Sequence, residues 1–140
     1  MIYVDTNVFL YPVLYEEKRR IARLAKKILI KIANGEIKAA TSTLTWDEFV
    51  WVIMKTLGRE IAIREGEKFL IFPNLKFLQI NEIVIQKAQK LVEKYEINPR
   101  DSIHISCALV NGIKEIISDD LDFNRVKEIK RISINKAARL

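Results

Sequence analysis

An unbroken apolar triplet, Ile2-Tyr3-Val4, runs directly into Asp5-Thr6-Asn7 and then into a second apolar run from Val8. No other stretch constrains the fold as tightly. A continuous Ile/Tyr/Val run suits a strand covered on both faces, which is the environment inside a parallel sheet. Asp5 then stands where that strand ends. In open parallel α/β sheets ligands gather at the carboxyl ends of the strands, so a carboxylate there is chemically meaningful. The same polar triplet also suits a plain turn, with Asp and Asn bonding their own backbone. A second stretch repeats the pattern: Glu115 to Ser118 is a compact strand candidate that runs into Asp119-Asp120-Leu121-Asp122-Phe123.

Between these two stretches, strand-like and helix-like segments alternate. After Pro12, the span from Glu16 to Ala33 carries Ile21, Leu24, Ala25, Ile28, Leu29 and Ile32 at helical spacing, with Lys and Arg on the other face. Asn34-Gly35 is a stop signal. A strand is expected over Ile37–Ser42 and a helix from Thr45 to Leu57, closed at Gly58. A further helix runs from Arg59 to Phe72 until Pro73-Asn74 breaks it. Leu75–Ile80 reads as a strand, Asn81 as the cap of a helix reaching Tyr95, and Asn98-Pro99 as the start of another reaching Asn111. One more short strand is expected around Arg131–Ile134. This alternation predicts one α/β domain over residues 1–140, with a mainly parallel central sheet flanked by helices.

Charge and residue usage narrow the function. With 24 Lys+Arg against 18 Asp+Glu, the net charge of +6 favours anionic partners, nucleic acid first. Cys107 is the only cysteine and His104 the only histidine, so a disulfide framework is excluded and a zinc site is poorly supplied. A reducing cytoplasm is the expected home. The chain opens directly on a strand and an acid, so no secretory leader is expected. The longest apolar run, Phe49–Met54, is far too short to span a bilayer. Four glycines form no phosphate-cradling loop. His104 leaves a Ser-His-Asp arrangement open, but nothing marks a nucleophile elbow. The 22 isoleucines against three glutamines lean towards a thermophile.

Acids recur at four stations. Besides Asp5 and the Asp119/Asp120 pair at strand ends, Glu48 follows Thr45 and Asp101 follows Asn98-Pro99-Arg100, each in the first turn of an expected helix. Capping alone accounts for these last two. Thr45-Trp46-Asp47-Glu48 spells a capping box, and Asp101 favours the positive end of its helix. Capping does not account for four such stations in a chain of net positive charge. Clustered carboxylates raise one another's pKa unless a cation sits among them, and an all-oxygen set suits Mg²⁺ or Mn²⁺.

Taken together, D-T-N at residues 5–7, the helical Glu48, D-S-I-H-I-S-C-A-L from Asp101 and S-D-D-L-D-F from Ser118 resemble the PIN-domain ribonucleases. Within them the pattern looks most like the VapC-type toxins of toxin–antitoxin pairs and their archaeal relatives, over essentially the whole chain. The resemblance implies that Asp5, Glu48, Asp101 and Asp120 are the catalytic, metal-binding acids, with Asp122 auxiliary. Asn7 and Ser118 match supporting polar positions, Ser118 standing where the family usually has Thr. The adjacent Asp119 and, more weakly, Asp47 leave the register open by one residue. His104, one turn after Asp101, is expected to pack against or support that acid.

The activity so implied is hydrolysis of RNA by Mg²⁺- or Mn²⁺-activated water. Arg100, Arg125, Lys127, Lys130 and Arg131 are the candidate RNA contacts, although each also reads as ordinary solvated charge. The implied partners are an RNA substrate, a cognate antitoxin and a second copy of the chain. Trp46, Phe49, Trp51 and Met54 could serve the homodimer or fill the core. Two rivals stand beside this reading. One is a PIN-like module that has lost its metal and only binds RNA or protein. The other is a metal-dependent phosphatase or phosphoacceptor. The second commonly needs an Asp two residues after the first, where this chain has Asn7.

Overall fold

In the computed structural model, which describes residues 1–140, five short strands form one sheet in which every pairing is parallel. They are β1 (Ile2–Val4), β2 (Ala39–Ser42), β3 (Leu75–Leu78), β4 (Glu115–Ile117) and β5 (Lys130–Ile132). Their order is β3-β2-β1-β4-β5, so the chain winds one way from β1 to β3 and then returns to β1's other side. The reversal lies between β1 and β4, where open α/β sheets leave a crevice at their carboxyl ends. The sequence expectation of a mainly parallel sheet flanked by helices is met.

Alternation along the strands explains the three layers. Val4, Ala39, Ile117 and Ile132 point into a core shared with α1 (Thr6–Leu14), α2 (Arg20–Ala33), α3 (Thr43–Leu57), α4 (Arg59–Leu70) and α7 (Ile134–Ala137). Tyr3, Ala40 and Ile116 point the other way, into a core with α5 (Glu82–Lys94) and α6 (Pro99–Val110). On the first face Phe69 packs edge-on against Phe9 and Phe77 and stacks on Phe49, with ring centroids 4.9–5.2 Å apart. Such pairs add about 0.5–1.5 kcal/mol each beyond their buried area. They fix α3 over the sheet, and with it the neighbouring Glu48. Phe49 therefore belongs to the core, whereas Trp46 and Trp51 are exposed.

Several boundaries differ from the sequence expectation. Asp5-Thr6-Asn7 is not a free turn: Asp5 is the N-cap of α1, and Pro12 lies inside that helix. Pro12 lacks the N–H that would bond the Val8 carbonyl, and the helix ends two residues later. The second helix starts at Arg20 rather than Glu16. Helix α3 starts at Thr43, directly off Ser42, two residues before the expected cap. After β4 the acids lead into a 3-10 turn over Leu121–Arg125, and the last strand ends at Ile132, giving way to α7. Neither short helix has a periodicity long enough to read from sequence.

Candidate metal centre

The register that pairs Val4 with Ile117 sets Asp5 beside Ser118. Ser118 Oγ donates to Asp5 Oδ2 at 2.7 Å and the Thr6 N–H donates to Oδ1 at 2.8 Å, so both oxygens are held. Asp5 is only 7% exposed. Burial pushes its pKa up, against the opposing pull of the His104 charge and the Ser118 and Thr6 donors.

Glu48 reaches the same edge from α3. Because that helix begins at Thr43, the capping box written in the sequence does not form. Thr45 is buried with its hydroxyl 2.7 Å from that of Thr41, and Glu48 lies one turn further in. Its Oε1 accepts from Thr6 Oγ1 and from His104 Nε2, both at 2.6 Å. Thr6 thus joins Asp5 through its backbone and Glu48 through its side chain.

His104 is 1% exposed, and its Nδ1 lies 2.6 Å from the Tyr3 hydroxyl, which donates to Ser42 Oγ. With Tyr3 donating to Ser42, both ring nitrogens face acceptors, and the imidazolium satisfies them. The electrostatics agree. Burial disfavours charge on His104, but the Glu48 hydrogen bond and the charges of Asp5, Glu48 and Asp101 raise its pKa above the ordinary value. Burial likewise disfavours charge on Glu48. His104, Thr6 and the Arg100 charge outweigh that, and its pKa falls. The expected role of His104 is corrected on this point: it holds Glu48 rather than Asp101.

Asp101 sits in the first turn of α6, where Asn98 Oδ1 accepts its N–H at 2.8 Å and Asn98 Nδ2 donates to its Oδ2 at 2.9 Å. The Asp120 N–H donates to Ser118 Oγ, and the Asp122 N–H donates to Asp120 Oδ1. One oxygen from each of Asp101, Asp120 and Asp122 lies within 4.8 Å of the others. Partial burial and then the charges of Asp120 and Asp5 push the Asp101 carboxyl up to about 6. Three converging carboxylates, one of them reluctant to ionise, fit a hard divalent cation that takes oxygen ligands. Asp122 is a full member of this cluster, while Asp5 and Glu48 lie beside it with oxygens already hydrogen-bonded.

The remaining candidates separate by what they touch. Asp119 Oδ1 accepts the Ile134 N–H at 2.8 Å and so anchors α7, and Asp119 is not one of the three converging acids. Asp47 is exposed, and Asn7 is partly exposed in the first turn of α1. Arg125 contacts Asp122 at 3.3 Å and donates to the Glu96 carbonyl. Arg131 donates to Asn124 and to the Ser118 carbonyl, bracing the strand end that carries the acids. Arg100, Lys127 and Lys130 are exposed. Sequence reasoning assigned no role to Thr6, Tyr3 or Ser42. Thr6 lies within the D-T-N pattern and was visible there. The bonds of Tyr3 and Ser42 to and through His104 depend on strand register, which no local pattern encodes.

The profile of the PIN domain matches residues 2–129. A curated relative, Ribonuclease VapC2 of Methanocaldococcus jannaschii, is 24% identical over 145 residues, covering 95% of this chain and 93% of that protein. Among solved structures, a toxin–antitoxin complex from Klebsiella pneumoniae superposes with a TM-score of 0.68 at 16% identity, over 96% of this chain and 98% of that one. VapBC2 from Rickettsia felis, bound to a DNA fragment from its promoter, gives 0.73 at 17% identity, over 95% and 98%. At such identities these two structures establish the fold.

Proposed function

This chain belongs to the PIN domain family, and from that premise we propose that it is a divalent-cation-dependent endoribonuclease, the toxin of a toxin–antitoxin pair. The observation that carries the reading is the convergence of Asp101, Asp120 and Asp122 oxygens at the switch point of the sheet. The ribonuclease name of the archaeal relative and the toxin–antitoxin complex among the structural neighbours support it.

Asp101, Asp120 and Asp122 would hold Mg²⁺ or Mn²⁺, with Asp5 and Glu48 contributing their charge from beside them. Such an ion supplies charge neutralisation at a phosphodiester and a water nucleophile at neutral pH. The chain's own residues do the rest. Asn98 orients Asp101, and Ser118 ties Asp5 to the loop carrying Asp120. His104 and Thr6 fix Glu48 through Oε1 and keep it ionised. Arg100 acts on the same carboxylate, is exposed, and is the proposed contact for an RNA phosphate.

An antitoxin and a second copy of the chain are the proposed protein partners. The exposed Trp46, Ile63 and Leu70, which line a groove of about 310 Å³ between α3 and α4, offer an apolar surface for one of them. No helix is long and apolar enough to cross a membrane, and a cytoplasmic site of action is part of the proposal. The test is incubation of purified protein with RNA in EDTA and after Mg²⁺ or Mn²⁺ is restored. Cleavage should return with the cation and leave 5′-phosphate and 3′-hydroxyl ends, because water is the nucleophile. Cleavage in EDTA, or 2′,3′-cyclic phosphate ends, would overturn the reading.

A further inference from the structure

Helix α1 leads away from the acidic edge into a surface of aromatic and basic residues. Asp5 caps its first turn and Tyr15 closes its last, roughly 15 Å apart at 1.5 Å per residue. Tyr11 lies between them. Burial raises the pKa of its hydroxyl, and Asp119 and Tyr15 add to that ahead of Asp5 and Asp120. Tyr15 stacks on Tyr11, with centroids 5.5 Å apart and planes 28° from parallel. The Arg19 guanidinium lies 4.5 Å over the Tyr15 ring. Beyond it, Pro12, Tyr15, Lys18, Arg23, Lys26 and Lys27 line a groove of about 660 Å³. Its one acid, Glu17, is already paired with Lys26 at 2.8 Å. Between residues 16 and 33 the chain holds seven Lys and Arg against two Glu, a net +5.

We propose that this groove binds single-stranded RNA and leads it along α1 to the acidic edge, with phosphates against Lys18, Lys26 and Lys27 and bases stacked on Arg19 where it lies over Tyr15. Three observations favour that occupant. The charge calls for a polyanion. Aromatic rings and guanidinium planes on a surface stack on bases, which a duplex keeps inside its own stack. The platform also lies one helix length from carboxylates that repel phosphate, and a basic groove at that distance supplies the attraction they lack. The inference rests on the ribonuclease reading and names the path its substrate takes.

The experiment measures anisotropy of a labelled oligouridylate in EDTA over a range of KCl, with an RNA duplex of the same length as competitor. Cleavage of the oligouridylate in Mg²⁺ is measured on the same proteins. Tyr15→Ala should weaken binding about tenfold while Tyr15→Phe keeps it, since the ring rather than the hydroxyl stacks. The double variant Lys26→Gln/Lys27→Gln should flatten the salt dependence by about 0.7 in log–log slope for each phosphate it no longer neutralises. Its slower cleavage should appear as a raised KM. Both lysines are exposed, and matching melting curves for variant and wild type will show that the fold is intact. Wild-type affinity and salt slope in the lysine variant, or a preference for the duplex, would overturn the groove assignment. So would variants that release a protein partner but still bind RNA normally. Wild-type binding that the variants weaken, without any cleavage, would sink the ribonuclease reading and leave the groove standing.

Discussion

His104 Nε2 and Glu48 Oε1 lie 2.6 Å apart, joining two helices from opposite faces of the sheet across its carboxyl edge. The pair is nearly closed to solvent on the histidine side and one-fifth exposed on the glutamate side. Removal of the ring would leave the Tyr3 hydroxyl and Glu48 without that partner and open a cavity. His104→Ala should therefore cost about 2–4 kcal/mol in denaturant unfolding. The folded state raises the His104 pKa above 6.5. It then binds the proton more tightly than the unfolded chain, so this stabilisation is full below pH 6.5 and fades as pH rises through the folded value. Wild-type stability should show that decline on the alkaline side and His104→Ala should not. An identical pH profile for the two proteins would contradict the assignment.

Glu48 and Asp101 are predicted to differ in sign. Burial works against charge on Glu48, but His104 and Thr6 bring its pKa below 4.5, so ionised Glu48 stabilises the fold above that value and ceases to as pH falls. Burial and neighbouring carboxylates push Asp101 up to about 6, so ionised Asp101 destabilises it. In metal-free buffer at pH 7.5, Glu48→Gln should lower Tm and Asp101→Asn should raise it. Both should abolish cleavage. Equal and negligible shifts with retained activity would remove both residues from the site.

Adjacent Asp119 and Asp120 provide a local control. Asp119→Ala removes the acceptor for the Ile134 N–H and should cost about 1 kcal/mol, as removal of a cap does, while cleavage persists. Asp120→Asn should abolish cleavage with little change in stability. The reverse ranking, read from RNA cleavage and thermal melting, would shift the site by one residue.

The sheet, its parallel sense and the positions of the acids were legible in the sequence because each depends on short-range pattern: an apolar triplet running into Asp5, and Ser118-Asp119-Asp120 doing the same. Their adjacency followed from β1 and β4 being central neighbours. The family resemblance singled out Glu48, but the hydrogen bonds that hold it were not legible in the local pattern. Thr45-Trp46-Asp47-Glu48 is a complete capping box as text, and only the start of α3 at Thr43 shows that Thr45 faces Thr41 instead. Helix α1 was hidden by Pro12, which reads as a breaker yet falls where the helix is already ending. The basic groove was not legible either, because Lys and Arg at helical spacing read as an ordinary solvated face until Tyr15 and Arg19 are seen stacked beside them. The C-terminal cations stood out more in the sequence, yet the Arg125 and Arg131 guanidinium groups are occupied with backbone carbonyls.

Cation binding should be linked to protons. Asp101 near pKa 6 is partly protonated below neutrality, and a divalent ion requires it ionised. The rise in Tm produced by Mg²⁺ should therefore be small at pH 5 and grow through pH 7, following mass action at a site that gains affinity. Asp101→Asn should remove most of the shift and its pH dependence. A Mg²⁺ shift that is the same at both pH values would place the ion away from this carboxylate.

RNA cleavage is proposed to depend on an ion held by Asp101, Asp120 and Asp122. Calorimetric titration of Mn²⁺ into wild type and Asp120→Asn, with RNA cleavage followed in the same samples, measures both together. The wild type should bind Mn²⁺ saturably with cleavage rising in proportion to occupancy, and Asp120→Asn should show neither. Wild-type binding and cleavage by Asp120→Asn, or cleavage by the wild type before any ion is added, would contradict it.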